Sequence, residues 1–292
     1  MQTRTIGNST VGTVEVGAIG LGEMPMSLVG RPPEEQSIRT IHAALDAGVT
    51  LVDTADAYCA GPHEVGHGER LVAEALASYG GPTDGVLVAT KGGHLPGNPG
   101  EVWPVDGSPQ HLRRACEASL KALGVEVIGL YQHHRPDPKV PYEETMGAMR
   151  ALFEEGMVRM VGISNADPDQ IRLARDVLGD ALVSVQNQFA PDFRSSEGEL
   201  RLAADLGLAF LPWSPLGGIG NAGRIAGRQA FAEVAAVHGV SPQRVALAWM
   251  LAKAPTVIAI PGSTRPGTIT DSAAAAELRL TDEEVARLDA TG

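Results

Sequence analysis

The feature that most constrains this chain is an alternation repeated along most of its length. Short runs rich in β-branched residues, VEVGAIG, VTLVDT, GVLVAT, VIGLYQ, MVGIS, LVSVQ, LAFLPW and TVIAIPG, are each followed by a stretch with helical apolar spacing. The helices are expected to begin near Glu34, Gly68, Pro109, Tyr142, Pro168, Gly198, Arg228 and Thr268, with clear spacing at Ile38, Ile41 and Leu45 or at Met146, Met149 and Phe153. Eight strand-helix units in 292 residues, with no linker or low-complexity segment between them, fit a closed (β/α)8 TIM barrel of the α/β class better than an open doubly wound sheet. One domain over residues 1–292 is the economical expectation. Ahead of the first strand, TRTIGNSTVGT reads as a short N-terminal β-hairpin turned at Gly and Asn, placed to plug the barrel floor.

Composition narrows the partners. A formal net charge of -12 sets the chain against nucleic acid and anionic membranes, so a small molecule is the expected partner. The opening MQTRTIGNST has no apolar core of signal-peptide length, and the run VALAWMLA is too short to cross a bilayer. Cys59 and Cys116 make no disulfide framework, which leads us to expect a reduced, cytoplasmic protein, and separately no feature of the sequence requires an oligomer. Cys59 is expected to be buried and inert.

The string HEVGH, residues 63–67, matches the H-E-x-x-H pattern of zinc hydrolases. That chemistry needs both histidines on one helical face. Gly61 and Pro62 precede the string, Gly66 lies within it and Gly68 follows, so it reads as a loop opening a helix, and no metal site is expected.

In a barrel, attention passes to strand C-termini, where polar residues reach the site. LVDTADAY places Asp53 at the second strand tip and Tyr58 in the loop beyond; VATKGG places Lys91 at the third, and LYQHHRPD places His133 and His134 at the fourth. Four proton-capable types thus meet on one rim. A carbonyl that accepts hydride needs a proton from a positioned acid, and a free tyrosine is a reluctant donor. A lysine ammonium about 4 Å away favours the tyrosinate by at most roughly 4 kcal/mol at an effective dielectric near 20, which would bring Tyr58 toward working pH. Asp53 offsets the burial of Lys91, and a histidine at the fourth strand tip is suited to donate to the carbonyl oxygen. Adjacent strand residues face opposite ways, so only one of the two histidines reaches the mouth.

In these residues, their order and their contexts, the chain resembles the aldo-keto reductase superfamily, from GLGEMPMS near the start to IPGSTRPGTI near the end. The resemblance implies a catalytic set of Asp53, Tyr58, Lys91 and His134, the last being the histidine directly before Arg-Pro-Asp, so that His133 is expected to pack outward or cap the loop. It also implies NADP(H) as cofactor, NADPH preferred. Ser164 and Asn165 of GISNA and Gln186 of VSVQNQ match positions that hold the nicotinamide carboxamide, and Trp213 matches the aromatic that stacks on its ring. The WSPL loop, with Ser214, Leu216, Gly218 and Gly220, matches the segment that folds over the pyrophosphate. Ser263, Thr264 and Arg265 match the grip on the adenosine 2'-phosphate, and Asp271 is a further cofactor-binding candidate, standing with Ser272 where the family often has the Glu-Asn of the adenine contact.

Two further motifs compete with this reading. Gly218, Gly220 and Gly223 form a literal G-x-G-x-x-G, but they lie in the last third of the chain, parted from their strand by Ser-Pro-Leu and with no acid about twenty residues on, which argues against a Rossmann site. GISNA approximates a nucleophile elbow, but Ala166 replaces its last glycine and no Asp-then-His order follows.

The expected function is reduction of an aldehyde or ketone. The alternative is a nicotinamide-cofactor-binding regulatory subunit of the same fold with little turnover, like the potassium-channel beta subunits. The loop LPGNPGEVWPVDG with Trp103, and Met24 to Met26, are expected to wall the substrate pocket, and the short tail after TDEEVARLDA predicts an open one with broad preference.

Overall fold

A computed structural model describes residues 1–97 and 103–291, so residues 98–102 of the expected pocket loop lie outside the described residues. The chain opens with an antiparallel hairpin, β1 (Thr3–Asn8) and β2 (Gly12–Gly17), in register from Thr3 opposite Gly17 to Asn8 opposite Gly12. Parallel strands then follow one another in chain order: β3 (Leu21–Gly22), β4 (Leu51–Asp53), β5 (Leu87–Gly92), β6 (Leu130–His133), β7 (Val161–Ser164), β8 (Leu182–Gln186) and β9 (Ala209–Phe210).

Residues 257–262 close the ring by isolated bridges: Val257 to Phe210, Ala259 to Ile19 and Gly262 to Gly22. Ile258 donates to the Phe210 carbonyl at 2.9 Å, and Gly20 and Gly22 donate to Ala259 and Pro261 at 2.8 and 3.0 Å. TVIAIPG therefore occupies the eighth strand position without a continuous ladder, because Pro261 has no N–H to give. VEVGAIG is divided more sharply. Its first half belongs to the hairpin, where Val16 is buried and Glu15 exposed, and the barrel strand begins only with the continuously buried run from Ala18. Strict alternation marks the half-solvated hairpin; continuous burial marks the parallel barrel.

Helices cover the outside: α1 (Glu34–Asp46), α2 (His67–Ser78), α3 (Pro109–Leu123), α4 (Tyr142–Glu154), α5 (Pro168–Leu178), α6 (Glu197–Asp205), α7 (Gln229–His238), α8 (Pro242–Leu251), α9 (Pro266–Ala273) and α10 (Asp282–Asp289). Their starts have local causes. Ser108 accepts from the His111 N–H with Pro109 next in line, and Asp167 and Gln170 form a capping box. Helix α8 is the apolar run VALAWMLA. It is buried from Val245 to Leu251 and packs against α7 and α9, and a helix buried all round has no apolar stripe to reveal it.

Inside the ring, Leu51, Leu87, Leu130, Met160, Val183, Leu211 and Ile258 form one buried cluster. Ile6 and Val16 of the hairpin pack into that same cluster, which is how the hairpin covers one end of the barrel. Polar groups therefore collect at the other end.

Candidate active site

Parallel strands carry their C-terminal ends to one rim, and the polar tip residues meet there. Lys91, on β5, is wholly buried; its Nζ donates to Asp53 Oδ1 at 2.6 Å, to the Thr54 carbonyl at 2.8 Å and to the Tyr58 hydroxyl at 3.1 Å. All three donors of the ammonium are used. Asp53 presents its other oxygen to two amides, accepting from Gln132 Nε2 at 3.0 Å and Gln186 Nε2 at 2.8 Å. The His134 ring stands edge-on to Tyr58 with centroids 5.6 Å apart. His133 does not line the cavity. It is buried against Tyr142, ring to ring at 5.8 Å, and neither ring nitrogen has a partner, as strand alternation requires of one histidine in the pair.

Electrostatics refine the picture. Burial raises the Tyr58 phenol above its ordinary value; the Lys91 ammonium pulls it down and Asp53 pushes it up. The expectation that Lys91 brings Tyr58 toward neutral pH is therefore corrected: in this cavity, desolvation outweighs the lysine. Burial opposes the Lys91 charge, but Asp53 and Tyr58 outweigh it and its pKa is raised. His134 lies well below the ordinary imidazole value through burial and then Lys91, so it is neutral at pH 7.

A cavity of about 600 Å³ opens over these groups. Tyr58, Asp53 and His134 line it, while Lys91 lies beneath. Ser164, Asn165 and Gln186 line its wall; Asn165 has a left-handed backbone (φ 57°), donates to the His134 carbonyl at 2.9 Å, and accepts from Trp213 Nε1 at 3.2 Å. Ser164 Oγ donates to the Gln186 carbonyl at 2.7 Å. Trp213, Ser214, Leu216, Gly218 and Gly220 form the adjoining loop, with Ser214, Gly218 and Gly220 all at positive φ. That loop runs into a 3-10 turn, Ala222–Gly227, rather than directly into an α-helix, so its glycines do not form a Rossmann turn. Ser263, Thr264 and Arg265 line the far end. The expectation that Asp271 binds the cofactor is corrected, because Asp271 does not line the cavity. Its carboxylate is held by Arg244, at 2.6 Å, and by Ser241, and so braces α9 against α8.

The HEVGH string is not one helix: His63 lies in a 3-10 turn, Gly66 is left-handed (φ 77°), and His67 begins α2 with its Nδ1 2.8 Å from Ser27 Oγ. Among the described residues, no group of three or more His, Cys, Asp or Glu is placed to hold a metal ion. Cys59 is buried, its thiol donating to the Ala57 carbonyl at 3.4 Å.

Several site residues escape sequence reasoning. Glu23 follows β3, fully buried; it accepts from Thr54 at 2.9 Å and from Ser27, and burial raises its carboxyl to about 7. Gln132 shares Asp53 with Gln186. His94 and Arg135 line the cavity beside Trp103, and the His94 ring lies 4.3 Å from that of His134. An acid at the end of the apolar run IGLG is a readable signal for Glu23; Gln132, His94 and Arg135 carry none.

Comparison with known proteins gives a consistent answer. The sequence model of the aldo/keto reductase family matches residues 18–292. The 6-dehydroglucose reductase of Novosphingobium aromaticivorans is 35% identical over 94% of this chain and 90% of its own. A thermostable aldo-keto reductase crystallised with the inhibitor epalrestat superposes with a TM-score of 0.83 at 27% identity, over 100% of both chains. The Klebsiella pneumoniae aldo-keto reductase bound to NADPH gives 0.79 at 27% identity, over 99% of this chain and 95% of its own. No helix among the described residues is long and apolar enough to cross a membrane.

Proposed function

The chain belongs to the aldo/keto reductase family of oxidoreductases, and on that premise we propose that it reduces an aldehyde or ketone to an alcohol with NADPH, alcohol oxidation being the same step reversed. One observation carries the reading: a buried ammonium held by a carboxylate touches the hydroxyl of a tyrosine that faces a cavity.

NADPH held in the cavity would be the source of hydride for the carbonyl carbon. Tyr58 gives its proton to the carbonyl oxygen. Its raised pKa keeps that proton in place at neutral pH, and Lys91, 3.1 Å away, stabilises the phenolate left behind. Asp53 keeps Lys91 charged, and Gln132 and Gln186 fix the carboxylate so that its free edge meets the ammonium. Neutral His134 donates an N–H to the carbonyl oxygen and orients it.

The residues present fit the cofactor. The positive-φ glycines permit close backbone approach, and substituting a Cβ at Gly218 or Gly220 meets no heavy atom closer than 3.6 Å, so the loop is not closed by its own packing. Ser164, Asn165 and Gln186 would hold the nicotinamide amide, Trp213 would cover its ring, Ser214, Leu216, Gly218 and Gly220 would line the pyrophosphate, and Ser263, Thr264 and Arg265 would meet the 2'-phosphate. Gln186 already gives its Nε2 to Asp53, so its Oε1 serves the amide. The relatives agree with this use, one being named a reductase and another crystallised with NADPH.

The test compares parent and Tyr58→Phe for NADPH binding, by fluorescence, and for NADPH oxidation with an activated aromatic aldehyde. Binding by both with turnover by the parent alone supports the reductase. Binding without turnover by either, across a broad carbonyl panel, favours the regulatory subunit.

A further inference from the structure

Arg135 stands out among the charged groups of the cavity. Asp53 is matched by Lys91 beneath it, which leaves Arg135 and Arg265 as the remaining charges lining the cavity among the described residues. A chain of net charge -12 thus presents a positive cavity. The two arginines have different company. Arg265 sits with Ser263 and Thr264, whereas Arg135 directly follows His134 and contacts His94, whose ring is 4.3 Å from His134 and 5.8 Å from Trp103. Arg135 is therefore at the end where carbonyl chemistry is proposed.

Its orientation is held from one side. Burial depresses the His94 imidazole to about 4, so the ring is neutral at pH 7. Its Nδ1–H faces the Pro104 carbonyl at 3.3 Å, and its Nε2 accepts from Arg135 Nε at 3.4 Å. That contact uses the Nε of the guanidinium and leaves the paired terminal nitrogens, the edge that matches a carboxylate with two parallel bonds. No carboxylate among the described residues lies within ion-pair distance of Arg135, although eleven other arginines, Arg244 among them, have one.

We propose that Arg135, steered by His94, selects carbonyl substrates that carry a carboxylate removed from the reacting carbon. The proposal rests on the reductase reading and narrows its substrate class. Arg135 is the specificity-determining residue and His94 a positioning residue.

The test uses two aldehydes of nearly equal shape, 4-carboxybenzaldehyde and its methyl ester, with the parent, Arg135→Gln and Arg135→Lys. Two ratios of acid to ester are measured: kcat/KM with NADPH, and affinity for the NADP⁺-loaded and nucleotide-free protein by calorimetry. Because Arg135 is solvent-accessible, screening limits the effect, and the parent is expected to favour the acid about tenfold in both ratios. Arg135→Gln should abolish the preference, and Arg135→Lys, which keeps the charge but not the fork, should retain part of it. A preference below about threefold in the parent, or one that Arg135→Gln leaves in place, overturns the proposal. The two readings fail separately: a binding preference lost in Arg135→Gln supports the anion site even if neither aldehyde is turned over, and turnover of the ester alone sustains the reductase while removing this selectivity.

Discussion

The Lys91 ammonium lies 2.6 Å from Asp53 Oδ1, with Lys91 wholly buried and Asp53 nearly so at the cavity wall. A buried pair of this kind is sensitive to losing one partner, because the remaining charge has no water to turn to. Lys91→Met leaves Asp53 buried with only amide donors, and we expect a loss of about 3–5 kcal/mol in urea unfolding. Adding Asp53→Asn should restore a substantial part of it. A single variant as stable as the parent would show that the Lys91–Asp53 pair does not support the fold.

Glu23 makes a prediction about pH. Its carboxyl is raised from 4.5 to about 7 in the folded chain, so between those values the folded state holds more protons than the unfolded and stability falls as pH rises. At about 1.4 kcal/mol per unit, this loss of stability is about 3 kcal/mol and is complete above pH 7. Glu23→Gln, which keeps the shape and cannot ionise, should flatten the slope of unfolding free energy between pH 5 and 7; an unchanged slope refutes the assignment.

His133 acts in the opposite sense. Burial lowers its imidazole to about 3, so the folded state keeps it neutral, and its contribution is present above pH 6.5 and lost as the pH falls toward 3. Both ring nitrogens lack partners, so His133→Leu sacrifices no hydrogen bond. The variant should lose about 2 kcal/mol less than the parent between pH 7 and pH 5, measured by chemical denaturation. Equal losses would mean that this ring is not the buried titrating group.

Gly162 bears on the site through packing alone. A Cβ there would lie 2.4 Å from Ser184 Oγ and 2.8 Å from Gln132 Cγ, and Gln132 holds Asp53. Gly162→Ala should lower stability by roughly 1–3 kcal/mol and reduce turnover as Gln132 shifts. Ser184→Gly in the same chain removes the closer clash, since Ser184 Oγ has no partner to lose. Calorimetric melting of the three proteins decides the matter; an innocuous Gly162→Ala would show that the strands relax freely at this point.

The sequence by itself determined the order of elements and the residues at the strand tips. All eight helix starts read from periodicity and breakers agree with the structure to within two residues, because caps, prolines and apolar spacing act over one or two turns of chain. The placement of Asp53, Lys91 and the His133–His134 pair at one rim was legible for a related reason: strand ends are local properties and the barrel repeats them around one rim, whereas the choice of His134 came from the motif around it. Other features required the tertiary structure. The division of VEVGAIG between hairpin and barrel depends on what each half packs against, and the helical character of VALAWMLA is concealed by burial on every side. The high pKa of Tyr58, the amides on Asp53, the carboxyl of Glu23 and the pairing of His94 with Arg135 all arise between residues distant in the chain. Desolvation and long-range contact exist only once the ring has closed; before that, these side chains are all in water.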